Sequence, residues 1–325
     1  MIGFTSFISN HTVVQTLKRA VQPGGRLSHA YLLHGTAGTG KKTLARIFAA
    51  GLLCNAENGP CGECTACRKV EKEIHPDLIT VRPPEGKAMI TVDQVRALRE
   101  EVHMRPNEGR YRVVLIEGAE KMNLSASNAL LKVLEEPPPY LIFVLTADNR
   151  TLLPETIASR CICLELCEVS ALQAEKWLVR QFPDEDPAAI DEAVLCGGGN
   201  LGRCAGYLKK DGAAAGFQMA VKLLQSLSTG REYDVLEALS PLDGDRDAFI
   251  RLLTDVDRLA AESAKAAFLP DSRVLSLVPR FSPTRAIQVR ELGDELRSRL
   301  TLNGNLSLLL GYYCAELRNI MERTV

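Results

Sequence analysis

The segment HGTAGTGKKT, residues 34–43, places Gly35, Gly40 and Lys41 at the GxxxxGK spacing of a phosphate-binding loop. In such a loop, backbone N–H groups and the following helix N-terminus surround phosphate oxygens while the lysine reaches the outer phosphates. Gly38 adds a further permissive position inside the loop. The apolar run AYLLH precedes the glycines and KKTLARIFAAGLL follows them, so the strand, loop and helix come in the required order. The next position should supply a hydroxyl to magnesium, yet it is Lys42, and an ammonium has no lone pair to give. Thr43 comes one residue late, turned by ~100° about the helix. These residues predict ATP or ADP bound by Gly35, Gly38, Gly40, Lys41, Lys42 and Thr43 without efficient hydrolysis.

The other half of a hydrolytic site is an apolar strand ending in two acids, the first organising metal and the second polarising water. Here VVLIEGAEKM offers Glu117 for the first role, and Gly118 leaves the second unfilled. Glu120 lies three residues on, beyond the strand end. Both departures fall on the same step, hydrolysis.

Cys54, Cys61, Cys64 and Cys67 form a Cx6CxxCxxC cluster directly after the loop's helix. Four convergent thiolates complete the tetrahedral shell of a structural zinc and leave no open catalytic position. An iron–sulfur cluster is the main rival, although Arg68-Lys69-Val70-Glu71 replaces the bacterial CxxxCP ending. Unliganded thiols are the remaining alternative. The other six cysteines have no ligand spacing and read as ordinary core thiols.

The elements that must position these groups alternate through residues 1–168, the pattern of an α/β layer on a mostly parallel sheet. Strands are expected at 30–34, 78–81, 112–117, 141–146 and 162–166, with helices near 13–21, 42–53, 92–103 and 125–135. Thr91 and Gln94 form a capping box for the third helix, with Ile90 as its hydrophobic staple. After Leu166 the pattern is helical: short segments near 171–181, 187–195 and 202–209, then longer ones near 213–227, 247–266, 283–298 and 305–321. This predicts a small helical domain followed by a helical packing domain.

Bulk properties narrow the function classes. The 325 residues suggest two or three domains. With 39 basic against 40 acidic residues, a lone nucleic-acid-binding module is disfavoured and any such contact needs a local patch or an assembly. No apolar run is long enough to span a membrane, and MIGFTSFISNHTVV lacks the build of a signal peptide, so a cytoplasmic protein is expected.

Several stretches together carry a resemblance: SHAYLLHGTAGTGKKTLA, the cysteine insertion, HPDLITV, NALLKVLEEPP and TIASRC. Their order and spacing resemble those of bacterial DNA polymerase III clamp-loader subunits of the AAA+ class, over about residues 10–210, and NGNLSLLL near the C-terminus adds to the likeness. The resemblance implies an α/β P-loop (AAA+, RecA-like) domain over 1–168 with an inserted zinc module at 54–67. It further implies a small helical lid domain over 169–210 and an all-α collar, or oligomerisation, domain over 211–325. Gamma/tau subunits carry Lys-Thr or Lys-Ser in the loop, an Asp-Glu pair on the strand, and a chain that continues past the collar. Lys41-Lys42, Glu117-Gly118 and an end at Val325 resemble instead the non-hydrolysing delta-prime branch.

That branch implies a subunit of the DNA polymerase III holoenzyme without an independent ATPase, joined to gamma/tau and delta in a hetero-pentameric ring. The ring loads the sliding clamp on primer-template DNA in the cytoplasmic, nucleoid-associated replisome, without a membrane. Arg160, between Ser159 and Cys161, matches the family's arginine finger, which enters a neighbour's ATP site. Arg203 in GNLGRCAGYL lies where the lid carries a nucleotide sensor, although Leu201 replaces the family's proline. Thr146 has no assigned role. Two other readings are an active gamma/tau-type ATPase using Lys41, Thr43 and Glu117 or Glu120, and a zinc protein that binds nucleic acid alone.

Overall fold

The computed structural model describes residues 2–84, 86–209, 212–229, 232–266, 268, 274–302 and 304–322. They form two compact units, residues 1–169 with 200–202, and residues 170–199 with 203–325. The expected domain boundary at 210/211 lies outside the described residues. No helix among the described residues is long and apolar enough to cross a membrane.

The first unit is built on β1 (Ala30–His34), β2 (Leu78–Val81), β3 (Arg112–Glu117), β4 (Leu141–Ala147) and β5 (Ile162–Glu165). They make one sheet in the order β2-β3-β4-β1-β5, every pair parallel. Its helices are α1 (His11–Val21), α2 (Lys41–Leu53), α3 (Thr65–Glu71), α4 (Val92–Glu101), α5 (Leu124–Glu135) and α6 (Glu155–Ala158). Parallel strands need crossover helices, which cover both sheet faces, so the central strands are apolar throughout rather than alternating with polar residues.

Pleating then sorts the side chains. Tyr31, Leu33, Val113, Leu115, Ile142 and Val144 belong to one core with residues of α1, α2 and α3. Leu32, Val114, Ile116, Phe143 and Leu145 belong to the opposite core with residues of α4 and α5. Helix α2 buries ten of its residues, and its Phe48 meets Tyr31 edge-on at 4.8 Å. Such burial on nearly all sides fixes α2 against β1, β3 and β4, which is what places the loop at its N-terminus.

Local signals start and stop the helices as expected. The Thr91 N–H donates to Gln94 Oε1 at 3.0 Å, while Ile90 and Val95 lie together in the core. Asn123 caps α5 by accepting from the Ala126 N–H at 2.8 Å, and α5 ends before Pro137. Helix α4 ends at Glu101, two residues before the expected end, with Val102 as its C-cap.

The second unit is helical: α7 (Ala171–Gln181), α8 (Pro187–Gly197), α9 (Leu201–Leu208), α10 (Gly212–Thr229), α11 (Glu232–Leu239), α12 (Arg246–Lys265), α13 (Val274–Leu277), α14 (Pro283–Thr301) and α15 (Leu306–Glu322). The first two residues of α9 belong to the first unit. On α12, Phe249, Leu252, Val256, Leu259 and Ser263 are buried at helical spacing, and Phe249 meets Tyr313 edge-on at 5.6 Å. Helices α3, α11 and α13 fall outside the helical segments expected from the sequence.

The turn into β3 depends on Asp77, which is fully buried just before β2. Its carboxylate accepts from the backbone N–H groups of Asn107, Glu108 and Gly109 at 2.5, 2.8 and 2.8 Å. Burial alone would raise its pKa, but the three amides hold it below the usual value. Its stabilisation is therefore present above the unfolded-state value and lost as pH falls through the lower folded one. Asp77→Ala is expected to destabilise the first unit by about 3 kcal/mol at neutral pH, an effect that narrows at acid pH. Thermal melting of the two proteins across pH measures both.

Candidate functional site

Strand β1 ends at His34, and the chain turns through residues 35–40 into α2. Gly38 and Gly40 have φ of +89° and +90°, which L side chains rarely adopt, and a Cβ on Gly38 would lie 2.1 Å from Asn200 Oδ1. The loop's carbonyls are bonded in turn. Lys41 Nζ donates to Gly35 O at 2.6 Å and Thr36 O at 2.9 Å, Asn200 Nδ2 to Ala37 O at 2.6 Å, and the Gly202 N–H to Gly38 O at 3.0 Å. No side chain caps the first turn of α2. The Gly35 and Thr39 N–H groups already donate to Ala147 O and Thr36 O, so the remaining loop N–H groups and that uncapped turn are the donors offered to an anion.

These groups border a cavity of about 450 Å³. Six of the residues expected at a nucleotide site line it: Gly38, Gly40, Lys41, Lys42, Thr43 and Glu117. Gly35 acts through its carbonyl on Lys41. The buried Lys41 also pairs with Asp148 at 2.8 Å, so its ammonium is already positioned at the loop. The loop and the cavity suit a phosphate group, which would reach the Lys41 ammonium only by replacing one of its three present partners.

Glu117, at the C-terminal end of β3, is only 2% exposed, and both of its oxygens are engaged. Lys42 Nζ lies 3.1 Å from Oε2, and Arg46 donates to Oε1 at 2.9 Å. Burial would raise the Glu117 pKa, but Lys42 and Arg46 hold it below the usual carboxylate value. Arg46 also pairs with Glu73, which meets Arg82 at 3.3 Å. The acid that would organise a metal is thus bound to two cations of the protein itself.

Beyond it, Gly118 takes a left-handed conformation, and its N–H donates to Thr146 Oγ1 at 3.1 Å. Thr146 ties the ends of β3 and β4 together and borders the cavity. Glu120 borders it as well, with a buried Oε2 that has no hydrogen-bond partner.

The four cysteines converge as their spacing suggested. Their sulfurs all lie within 4.8 Å of one another, with Cys54 3.7 Å from Cys61 and 3.8 Å from Cys64. Sulfurs about 3.8 Å apart suit a tetrahedron with metal–sulfur bonds of about 2.3 Å. The Cys64 N–H donates to Cys61 Sγ and the Cys67 N–H to Cys64 Sγ, both at 3.4 Å. Backbone N–H groups of Glu63 and Cys64 bring the Cys61 thiol down to about 6, while burial pushes Cys67 up. The cluster can hold one metal ion.

Arg160 lies just past α6, outside the cavity lining. Its side chain is 35% exposed, pairs with Glu135 at 2.8 Å and donates to Thr156 O at 2.8 Å. Arg203 belongs to the second unit, where it pairs with the buried Asp255 of α12.

The sequence reading did not single out Arg46, Asp148, Asn200 or Glu135. Arg46 carried a signal, since it lies four residues after Lys42 on the same helical face. The other three are defined by distant partners and left none.

Residues 9–170 match the family model described as DNA polymerase III, delta subunit. A DNA polymerase III subunit delta' of Pseudomonas aeruginosa is 44% identical over 184 residues, 55% of this chain and 56% of that protein. Its Haemophilus influenzae counterpart is 34% identical over 194 residues, 59% of this chain and 56% of that protein. A tau/gamma subunit of Haemophilus influenzae is 35% identical over 202 residues, 60% of this chain and 29% of that protein. The chain thus spans about half the length of the delta' relatives it matches, and less of the tau/gamma relative. Residues 9–170, just under half of the chain, are thus similar to the DNA polymerase III delta-subunit family.

Proposed function

We propose that this chain is a non-motor, delta-prime-type subunit of a bacterial DNA polymerase III clamp loader. The observation that carries the reading is the bonding of Glu117 to Lys42 and Arg46, which occupies with protein cations the position where a hydrolytic site holds its metal. In this reading the first unit is the AAA+ domain, and the second supplies the lid and the collar. The chain takes its place in a hetero-pentameric ring with gamma/tau and delta subunits and supports ATP-dependent loading of the sliding clamp on primer-template DNA.

Its contribution to the chemistry is Arg160. A guanidinium at a subunit edge stabilises charge developing on the phosphoryl group transferred in a neighbour's ATP site. The partial exposure of Arg160 and its separation from this chain's own cavity suit delivery to another subunit. Arg203 would serve the lid as a nucleotide sensor only by exchanging Asp255 for a phosphate. The metal of the cysteine cluster is zinc in this reading, and its role is structural because all four positions are filled by the chain.

A second reading, an active ATPase of the gamma/tau type, draws on the unpartnered oxygen of Glu120 at the cavity. It requires magnesium-dependent turnover by the isolated chain that is lost in Lys41→Ala.

The isolated protein is expected to hydrolyse no ATP above background with magnesium and primed DNA. In a complex reconstituted with gamma/tau and delta, Arg160→Ala is expected to lower ATPase by roughly a thousandfold at the affected site, with assembly unchanged on gel filtration. Unchanged turnover in that complex would rule out the trans-acting arginine. Elemental analysis is expected to find about one zinc per chain, diminished in Cys64→Ser, with chelation lowering the melting temperature; an iron chromophore would contradict it.

A further inference from the structure

The position after Lys41 does more than lack a hydroxyl. Lys42 reaches across the floor of the cavity to Glu117 Oε2 at 3.1 Å, while Arg46 occupies Oε1 at 2.9 Å. A magnesium ion needs oxygen ligands, and this site would supply them from the hydroxyl and from the strand-end carboxylate. Lys42 provides no lone pair, and each Glu117 oxygen already faces a cation carried by α2. A metal entering there would meet the Lys42 ammonium as a like charge. A phosphate chain would meet Lys41, Lys42 and the uncapped turn of α2, which favour negative charge, beside the Asp148 and Glu117 carboxylates with which those lysines now pair.

Resting on the nucleotide-cradle reading of residues 35–43, we propose that the Lys42 ammonium takes the place of the divalent cation, so that the site binds nucleoside di- and triphosphates in their metal-free form. Magnesium then competes with the protein for the phosphate oxygens instead of bridging the two. The chain is a reader of free nucleotide, whereas a motor subunit reads the magnesium complex.

The test uses the full-length protein, titrated calorimetrically with ADP and with ATP in chelator-free buffer without magnesium and again in excess magnesium. The expected result is binding roughly tenfold tighter without magnesium, the size of one charge-assisted contact. Lys42→Thr restores the hydroxyl and leaves Glu117 one partner in Arg46; it is expected to reverse the preference, with magnesium tightening binding. Lys42→Arg keeps the charge and is expected to keep the metal-free preference. Circular dichroism of each variant establishes that it is folded, and a rise in melting temperature with ADP in the magnesium-free buffer gives a second readout of binding. Wild-type binding that is equal or tighter in magnesium overturns the proposal, as does binding in neither buffer, or a metal-free preference retained in Lys42→Thr. A metal requirement abolished in Glu120→Gln would likewise overturn it by identifying that acid as a ligand. Failure here leaves Arg160 untouched, because its effect is read on a neighbour's turnover in the assembled complex.

Discussion

A single buried carboxylate organises the loop end of the first unit. Glu117 closes β3, and the cations that neutralise it, Lys42 and Arg46, both come from α2. A charge at 2% exposure is tolerated only when its oxygens are paired, so the helix and the strand are held to one relative position. The loop that joins β1 to α2 inherits that position. Lys41 then binds the loop's own carbonyls, and Asn200 and Gly202 fasten its outer side. Position 42 thus combines two features, since a side chain without a metal-binding lone pair also supplies the acid's counter-ion.

Much of this was legible in the sequence because the central strands are buried on both faces. Runs such as RVVLIE and AYLLH have no polar register to confuse them, and β1, β2 and β3 begin and end where those runs do. The cysteine spacing likewise announced convergence, and the loop announced its defect at Lys42. What Lys42 does instead was not legible. Its bond to Glu117 spans 75 positions in the chain, and nothing local distinguishes it from a solvated helix lysine, which its 61% exposure resembles. Arg46 was in view as the next residue along that helical face, but only the arrival of β3 gives it a purpose. Asn200, in a glycine-rich run, gave no hint that its side chain would meet the loop at Ala37.

The two units manage buried acids in opposite senses. In the first, Asp77 and Glu117 are held below their usual values by amides and by cations respectively, against the opposing effect of burial. In the second, burial prevails: Asp255 is raised despite Arg203, and Asp257 is pushed to about 6 despite Arg297. Acidification therefore removes stabilisation from the first unit below the ordinary carboxylate range, while it relieves a penalty in the second as pH falls through about 6. The helical unit holds these ionic pairs inside its packing, where desolvation offsets much of their attraction.

Helix α2 begins at the glycine loop and ends where Cys54 starts the thiol cluster. Thirteen residues make a rod about 20 Å long, buried along most of its length. The cluster and the glycine loop thus sit at opposite ends of one rod that the sheet holds still, so the cysteine module is anchored to the same helix that carries Lys41 and Lys42.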